Sequence, residues 1–200
     1  MRAGRWLTCL LLAVAAGCAV IDDRTTAPAD WASHRDSLLE LYAWTATGKV
    51  ALRSRDSAES ATIIWRQQAT ESWVRLSGPF GAATTNLYSD GRSLTVQQGE
   101  EQRTVDISTP GQVLLNTGWD LPLQAQPHWL RGQPDPDSEV QELGIDPASG
   151  HLASLRQQGW QVRYSQYRLN GDVTLPSRLV LEKDDTRATL LIRRWQTGSD

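Results

Sequence analysis

Polar and apolar residues alternate with a period of two along most of this chain. In 49–53, Val50 and Leu52 share one face; in 61–67, Ala61, Ile63 and Trp65 do. The same alternation runs through 73–77, 85–89, 93–98, 101–107, 140–145, 151–158, 160–168, 177–183 and 187–195. Segments of this kind are half-buried strands. Asp90-Gly91 and Gly99-Glu100 are hairpin turn signals, and the short spacings favour an antiparallel meander over βαβ units. Helical spacing occurs in few places. Trp31, Leu38, Leu39 and Tyr42 recur over 31–43 behind a capping Asp30, and Gly48 then breaks the pattern. Thr109-Pro110 opens a helical turn through Val113, Leu114 and Leu115 that Gly118 ends. Residues 122–130 form a short helix around Trp129, broken by Pro127. Eleven strands and few helices predict a mainly β fold: an open, unclosed antiparallel β-barrel with a helical lid over one face. The concave face of such a sheet is filled by side chains or left open for an apolar ligand.

The N-terminal segment has a different character. Arg2 and Arg5 precede an apolar run from Leu7 to Ala16, which is signal-peptide length and too short to span a bilayer. Ala15-Ala16-Gly17-Cys18 follows and resembles a bacterial lipobox, with Ala15 where Leu is usual. The plainer alternative is cleavage after Ala13-Val14-Ala15. The lipobox reading makes 1–17 a lipoprotein signal peptide, Cys18 a lipidated residue and 18–30 a polar tether, with 31–200 as one domain. Ala19 rather than Asp after Cys18 resembles the sorting pattern for the outer membrane. Stable anchoring takes at least two acyl chains, each buried methylene contributing about 0.8 kcal/mol. Triacylation at Cys18 would therefore hold the chain on a membrane permanently.

Cysteine use agrees. Cys9 lies within the signal, so Cys18 has no partner for an internal disulfide. Removing Arg2 and Arg5 changes the balance from 20 basic and 23 acidic residues to 18 and 23, a formal charge of −5. No basic run stands out, which argues against nucleic acid as a partner and against anionic lipid attraction as the main force. His34, His128 and His151 do not stand at metal-ligand spacing from one another or from Cys18. Nucleophile elbows and phosphate loops are absent, so neither catalysis nor a cofactor is expected.

The chain spends its apolar residues on tryptophan. Past the signal there are Trp31, Trp44, Trp65, Trp73, Trp119, Trp129, Trp160 and Trp195. They either pack a core or line a cavity with their indole N–H groups near its mouth. Period-two placement makes Trp65, Leu87, Trp160, Tyr164, Leu181 and Ile192 candidates for an apolar ligand space, with Trp129 on the lid. Phe80, the single phenylalanine, lies between Pro79 and Gly81 in a turn-forming stretch. It either projects into solvent or folds back over the barrel rim.

A lipoprotein signal, eleven strands, three helical segments and this loop together resemble the LolB family. The matching stretches are TGKVAL (47–52), the strand ending Trp65-Arg66-Gln67, RLSGPFG (75–81), WLRG (129–132), LRQQGWQVRYSQY (155–167), LPSRLVL (175–181) and LLIRRW (190–195). The resemblance implies an open barrel with a helical lid over an apolar cavity. It implies a monomeric receptor that takes triacylated lipoproteins from a soluble LolA-like periplasmic carrier and inserts them into outer-membrane lipid. It also implies that Phe80, where the family commonly has Leu, is the membrane insertion residue, flanked by Pro79 and Gly81. The rival readings are a lipoprotein that carries a free lipid or glycolipid without inserting cargo, and a structural envelope scaffold with a filled core.

Overall fold

Alternation organises the sheet as the sequence pattern predicts. The computed structural model describes residues 30–78, 83–108 and 122–198. Helix α1 spans Trp31–Leu39, followed by β1 (Ala43–Arg53), β2 (Ala58–Gln68), β3 (Glu71–Ser77), β4 (Thr85–Ser89), β5 (Ser93–Gln98) and β6 (Glu101–Asp106). Helix α2 (Gln126–Arg131) precedes β7 (Val140–Ile145), β8 (Leu152–Gln157), β9 (Trp160–Asn170), β10 (Val173–Lys183) and β11 (Thr186–Thr197). The helical turn expected from Thr109 to Gly118 lies outside the described residues.

All eleven strands form one antiparallel sheet in the order β6-β5-β4-β3-β2-β1-β11-β10-β9-β8-β7. Two meanders, β1–β6 and β7–β11, are joined by β1 against β11. The edge strands β6 and β7 do not pair, so the barrel is open. One face of the sheet carries a continuous buried cluster from Ile63, Trp65 and Trp44 through Ile192 and Leu181 to Trp160 and Leu155. Leu38 from α1 and Trp129 and Leu130 from α2 complete it, so both helices cover this inner face. A smaller cluster of Leu94, Val105 and Ile107 lies at the β5–β6 end.

Several boundaries differ from the sequence expectation. Strands β2 and β10 begin earlier, at Ala58 and Val173. The helix expected over 122–130 starts only at Gln126, so that Pro127 stands in its first turn, where its missing N–H costs nothing, and does not break it. Helix α1 stops at Leu39, and the chain is already extended at Ala43, because Ala43, Trp44 and Ala46 are buried against the sheet. Gly48 therefore does not end a helix pattern; it sits inside β1, at an irregularity in the register with β11. A Cβ there would stand 2.1 Å from the Leu191 carbonyl oxygen, so glycine is what lets the two meanders approach. Asp30 caps α1 as expected, its side chain accepting from the Ala32 N–H at 3.3 Å.

Candidate functional site: the inner face and its lid

The lid is held by buried polar groups. Arg131, at the end of α2, donates through Nη1 to the carbonyls of Leu38 at 3.0 Å and Leu41 at 2.6 Å. Its Nε donates to the Pro127 carbonyl at 3.1 Å. One guanidinium thus bonds carbonyls at and just past the end of α1, the Leu38 carbonyl also accepting from the Leu41 N–H, and braces α1 against α2. Burial lowers its pKa to about 10, which leaves it charged at neutral pH. Helix α2 ends at Gly132 in a left-handed conformation (φ 83°). A side chain there would also meet the Tyr167 hydroxyl at 2.8 Å.

Trp129 anchors the lid to the sheet. Its Nε1 donates to Gln157 Oε1 at 2.8 Å, and Gln157 is fully buried. Gln157 Oε1 also accepts from the Asp135 N–H at 2.9 Å, and its Nε2 donates to the carbonyls of Asp135 and Ser138, both at 2.8 Å. All of the hydrogen-bonding capacity of that amide is used, which makes burying it tolerable.

Below the lid, Trp44 packs against Trp65 and Trp195 with ring centroids 5.7 and 5.4 Å apart. Trp65 Nε1 donates to Gln67 Oε1 at 3.1 Å, and Trp195 Nε1 to the Pro176 carbonyl at 3.0 Å. Trp44 Nε1 and the Tyr164 hydroxyl are buried with no hydrogen-bond partner among the described residues. Unsatisfied groups of this kind are rare in folded proteins and are natural contacts for a carbonyl of a bound molecule.

Six of the seven expected cavity residues, Trp65, Trp129, Trp160, Tyr164, Leu181 and Ile192, belong to the one buried cluster. Leu87 sits apart, packed half-buried against the smaller cluster. A groove of about 270 Å³ lies beside Leu87, but most of its lining, including Ile64, Arg66, Trp73 and Tyr88, comes from the outer face. Cys18 and the Pro79-Phe80-Gly81 stretch lie outside the described residues. The sequence reading missed Trp44, Arg131 and Gln157. Arg131 stands in the quoted WLRG stretch, while Gln157 carries no periodic signal that separates it from a surface glutamine.

It also missed that two histidines meet. His34 and His151 lie with ring centroids 4.5 Å apart, and His151 stacks on Tyr167 at 4.6 Å. The His34 Nε2–H donates to the Thr174 carbonyl at 2.8 Å, docking α1 on β10. Burial is the main cause that lowers the pKa of both histidines; the neighbouring His34 lowers His151 further, and Asp146 opposes. His128 is lowered in the same direction, by burial and then by Arg131. A histidine with a lowered folded value binds fewer protons folded than unfolded. The stability it contributes is complete above about pH 6.5 and is lost as pH falls below that value. The thermal midpoint is expected to drop between pH 7.5 and 5.5, and His151→Phe, which keeps a ring on Tyr167, to flatten the drop. A midpoint that holds level on acidification contradicts this account.

Among the described residues no cluster of three or more His, Cys, Asp or Glu could hold a metal ion, and no helix is long and apolar enough to cross a membrane. A family model described as Outer membrane lipoprotein LolB matches residues 42–195. The chain belongs to the LolB family. An outer-membrane lipoprotein LolB from Chromohalobacter salexigens is 35% identical over 199 residues, covering 98% of this chain and 91% of that protein. One from Pseudomonas fluorescens is 35% identical over 189 residues, covering 92% and 91%. The fold is shared more widely. A LolA superfamily protein from Nitrosomonas europaea superposes with a TM-score of 0.50 at 12% identity, covering 82% of this chain and 94% of that one. A DUF1329 family protein from Desulfovibrio piger gives 0.55 at 6% identity, covering 84% and 90%.

Proposed function

We propose that this chain accepts triacylated lipoproteins from a soluble LolA-like carrier and inserts them into the outer membrane, to which its own acylated Cys18 anchors it. Family membership supports the coarser statement, an outer-membrane lipoprotein with a role in lipoprotein localisation. The observation that carries the finer one is the inner face: a continuous apolar surface, covered by two short helices, with two buried donors that have no partner among the described residues. Acyl chains joined through ester and amide carbonyls match that surface in both respects. On this reading the chains displace lid side chains from the sheet, and Trp44 Nε1 and the Tyr164 hydroxyl meet carbonyl oxygens. Trp65, Trp129, Trp160, Tyr164, Leu181 and Ile192 provide the apolar contacts, and Leu87 extends them toward the β5–β6 end. No bond is made or broken, so the role is one of trafficking and not of catalysis.

The test has two stages. Carrier loaded with a triacylated lipoprotein is mixed with this chain, and cargo bound to each is measured. Liposomes are then added, and cargo in the lipid fraction is measured. Transfer at both stages is expected. Cargo that is accepted but never released would favour the free-lipid carrier reading, and cargo never accepted would overturn the proposal. Cys18→Ser is expected to leave the body soluble in the periplasm, folded and able to accept cargo. Loss of its circular-dichroism strand signal would contradict the assignment of 18–30 as a tether.

A further inference from the structure

Strand pairing assembles a cationic surface on the outer face of the sheet. Cross-strand partners share a face, so the register maps it directly. One row runs Arg178, Leu191, Lys49, Thr62 from β10 to β2. The next runs Arg194, Thr47, Ile64, Arg75 from β11 to β3. A third runs Thr45, Arg66, Trp73, Tyr88 from β1 to β4. These three rows hold five cations and no carboxylate; one carboxylate, Glu71 at the start of β3, stands at their margin, where it accepts from the Tyr88 hydroxyl at 2.6 Å. The ion pairs among the described residues involve none of the five. Lys49, Arg66, Arg75 and Arg194 are exposed and Arg178 is half-buried. Arg66 lies over the Trp73 ring at 4.1 Å. The chain as a whole is acidic, with a formal charge of −3, so this concentration of positive charge is local.

We infer that this outer face is a docking surface for an anionic phospholipid bilayer. Charge complementarity is the first reason. The second is dispersal: the cations cover about 19 Å across the strands and about 14 Å along them, from spacings of about 4.8 Å between strands and about 6.8 Å between rows. That suits an array of headgroup phosphates better than one small anion. The third is what lies between them. Ile64 and Leu191 are exposed at the centre, and Trp73 and Tyr88 stand at the margin. Exposed aliphatics within an aromatic and basic border are the composition of a membrane–water interface. An acidic protein would complement the charge but leaves those aliphatics without a reason. The surface works independently of cargo insertion. An acyl anchor by itself does not set how the barrel lies on the membrane, and this face would fix its orientation there.

The test uses the chain from residue 18 with Cys18→Ser, exported behind a cleavable leader, so that no acyl anchor contributes. Flotation with phosphatidylcholine vesicles is compared with vesicles that also contain phosphatidylglycerol. Binding is expected to be at least ~10-fold stronger to the anionic vesicles and to weaken as salt rises. Lys49→Glu/Arg75→Glu/Arg194→Glu is expected to abolish the preference, with its thermal midpoint compared to show that it folds. Arg92→Glu/Arg103→Glu, a change of the same sign on β6 and the turn before β5, is expected to retain it. Equal binding to both vesicle types would overturn the proposal, as would equal losses in the two variants, which would mean net charge alone. Self-association or capture of an acidic protein without vesicle binding would also overturn it. Should the triple variant fail to fold, the salt dependence of the parent and the single Lys49→Gln variant decide.

Discussion

Phe80→Glu is expected to abolish delivery of lipoprotein to membranes while leaving acceptance from the carrier intact. Withdrawing a phenylalanine side chain from an apolar environment forgoes about 1.5–3 kcal/mol. Placing a carboxylate in hydrocarbon adds a penalty of about 2.5–3.5 kcal/mol. Either effect exceeds the ~1.4 kcal/mol that corresponds to a tenfold change. The energy of one phenylalanine is enough to engage a bilayer surface and too small to anchor a domain, which suits a residue that acts transiently. Phe80→Leu is expected to deliver nearly as well as the parent, and Phe80→Ala to fall between, in order of apolar area. The two-stage transfer assay separates the outcomes. Normal delivery by Phe80→Glu would mean that another part of the chain inserts cargo. Loss of acceptance or of folding would mean that Phe80 belongs to the rim or core.

The strands were legible because each presents one face to an apolar interior and the other to water, which writes a period of two into the sequence. Trp65 and Ile192 could be assigned to one interior for that reason alone. Features that depend on which strands meet were not legible. Arg178, Lys49 and Arg75 are separated by long stretches of chain, and each reads as an ordinary polar position in an alternating strand. Only the β10-β11-β1-β2-β3 order places them together, which is why a chain without a basic run still carries a basic face. His34 and His151 are hidden in the same way, one on a helix and one after a turn. Phe80 was conspicuous for the opposite reason: its own neighbours, Pro79 and Gly81, carry a turn signal in the sequence by themselves. Arg131 and Gln157 were missed because burial reverses the usual meaning of their residue types. A buried guanidinium or amide is tolerated only where carbonyls converge on it, and convergence is tertiary.

Gly48→Ala is expected to destabilise the protein by about 3 kcal/mol, the upper part of the range for overpacked sites. Local preference predicts the opposite sign. Gly48 is not among the glycines with positive φ, and alanine in a strand normally gains about 0.5–1 kcal/mol over glycine by restricting the unfolded chain. The tertiary contact decides the matter. The new Cβ would stand 2.1 Å from the Leu191 carbonyl oxygen and 3.0 Å from the Ile192 Cα, and both are backbone atoms. Neither can rotate away as a side chain would, so β11 has to retreat. Among the described residues that pairing is the strand contact that joins the two meanders into one sheet, and it holds Trp195 against Trp44. Urea unfolding is the measurement, with Gly99→Ala as the comparison. Gly99 has φ 60° in a hairpin turn with nothing within 4 Å of its Cβ position, so its substitution costs only backbone strain of about 1 kcal/mol. Gly48→Ala should lose clearly more than Gly99→Ala and, where it still folds, should bind lipoprotein cargo more weakly because the tryptophan-lined face is displaced. A Gly48→Ala midpoint equal to or above that of the parent would show that β11 yields at no cost and that close approach at this position is not what joins the halves of the barrel.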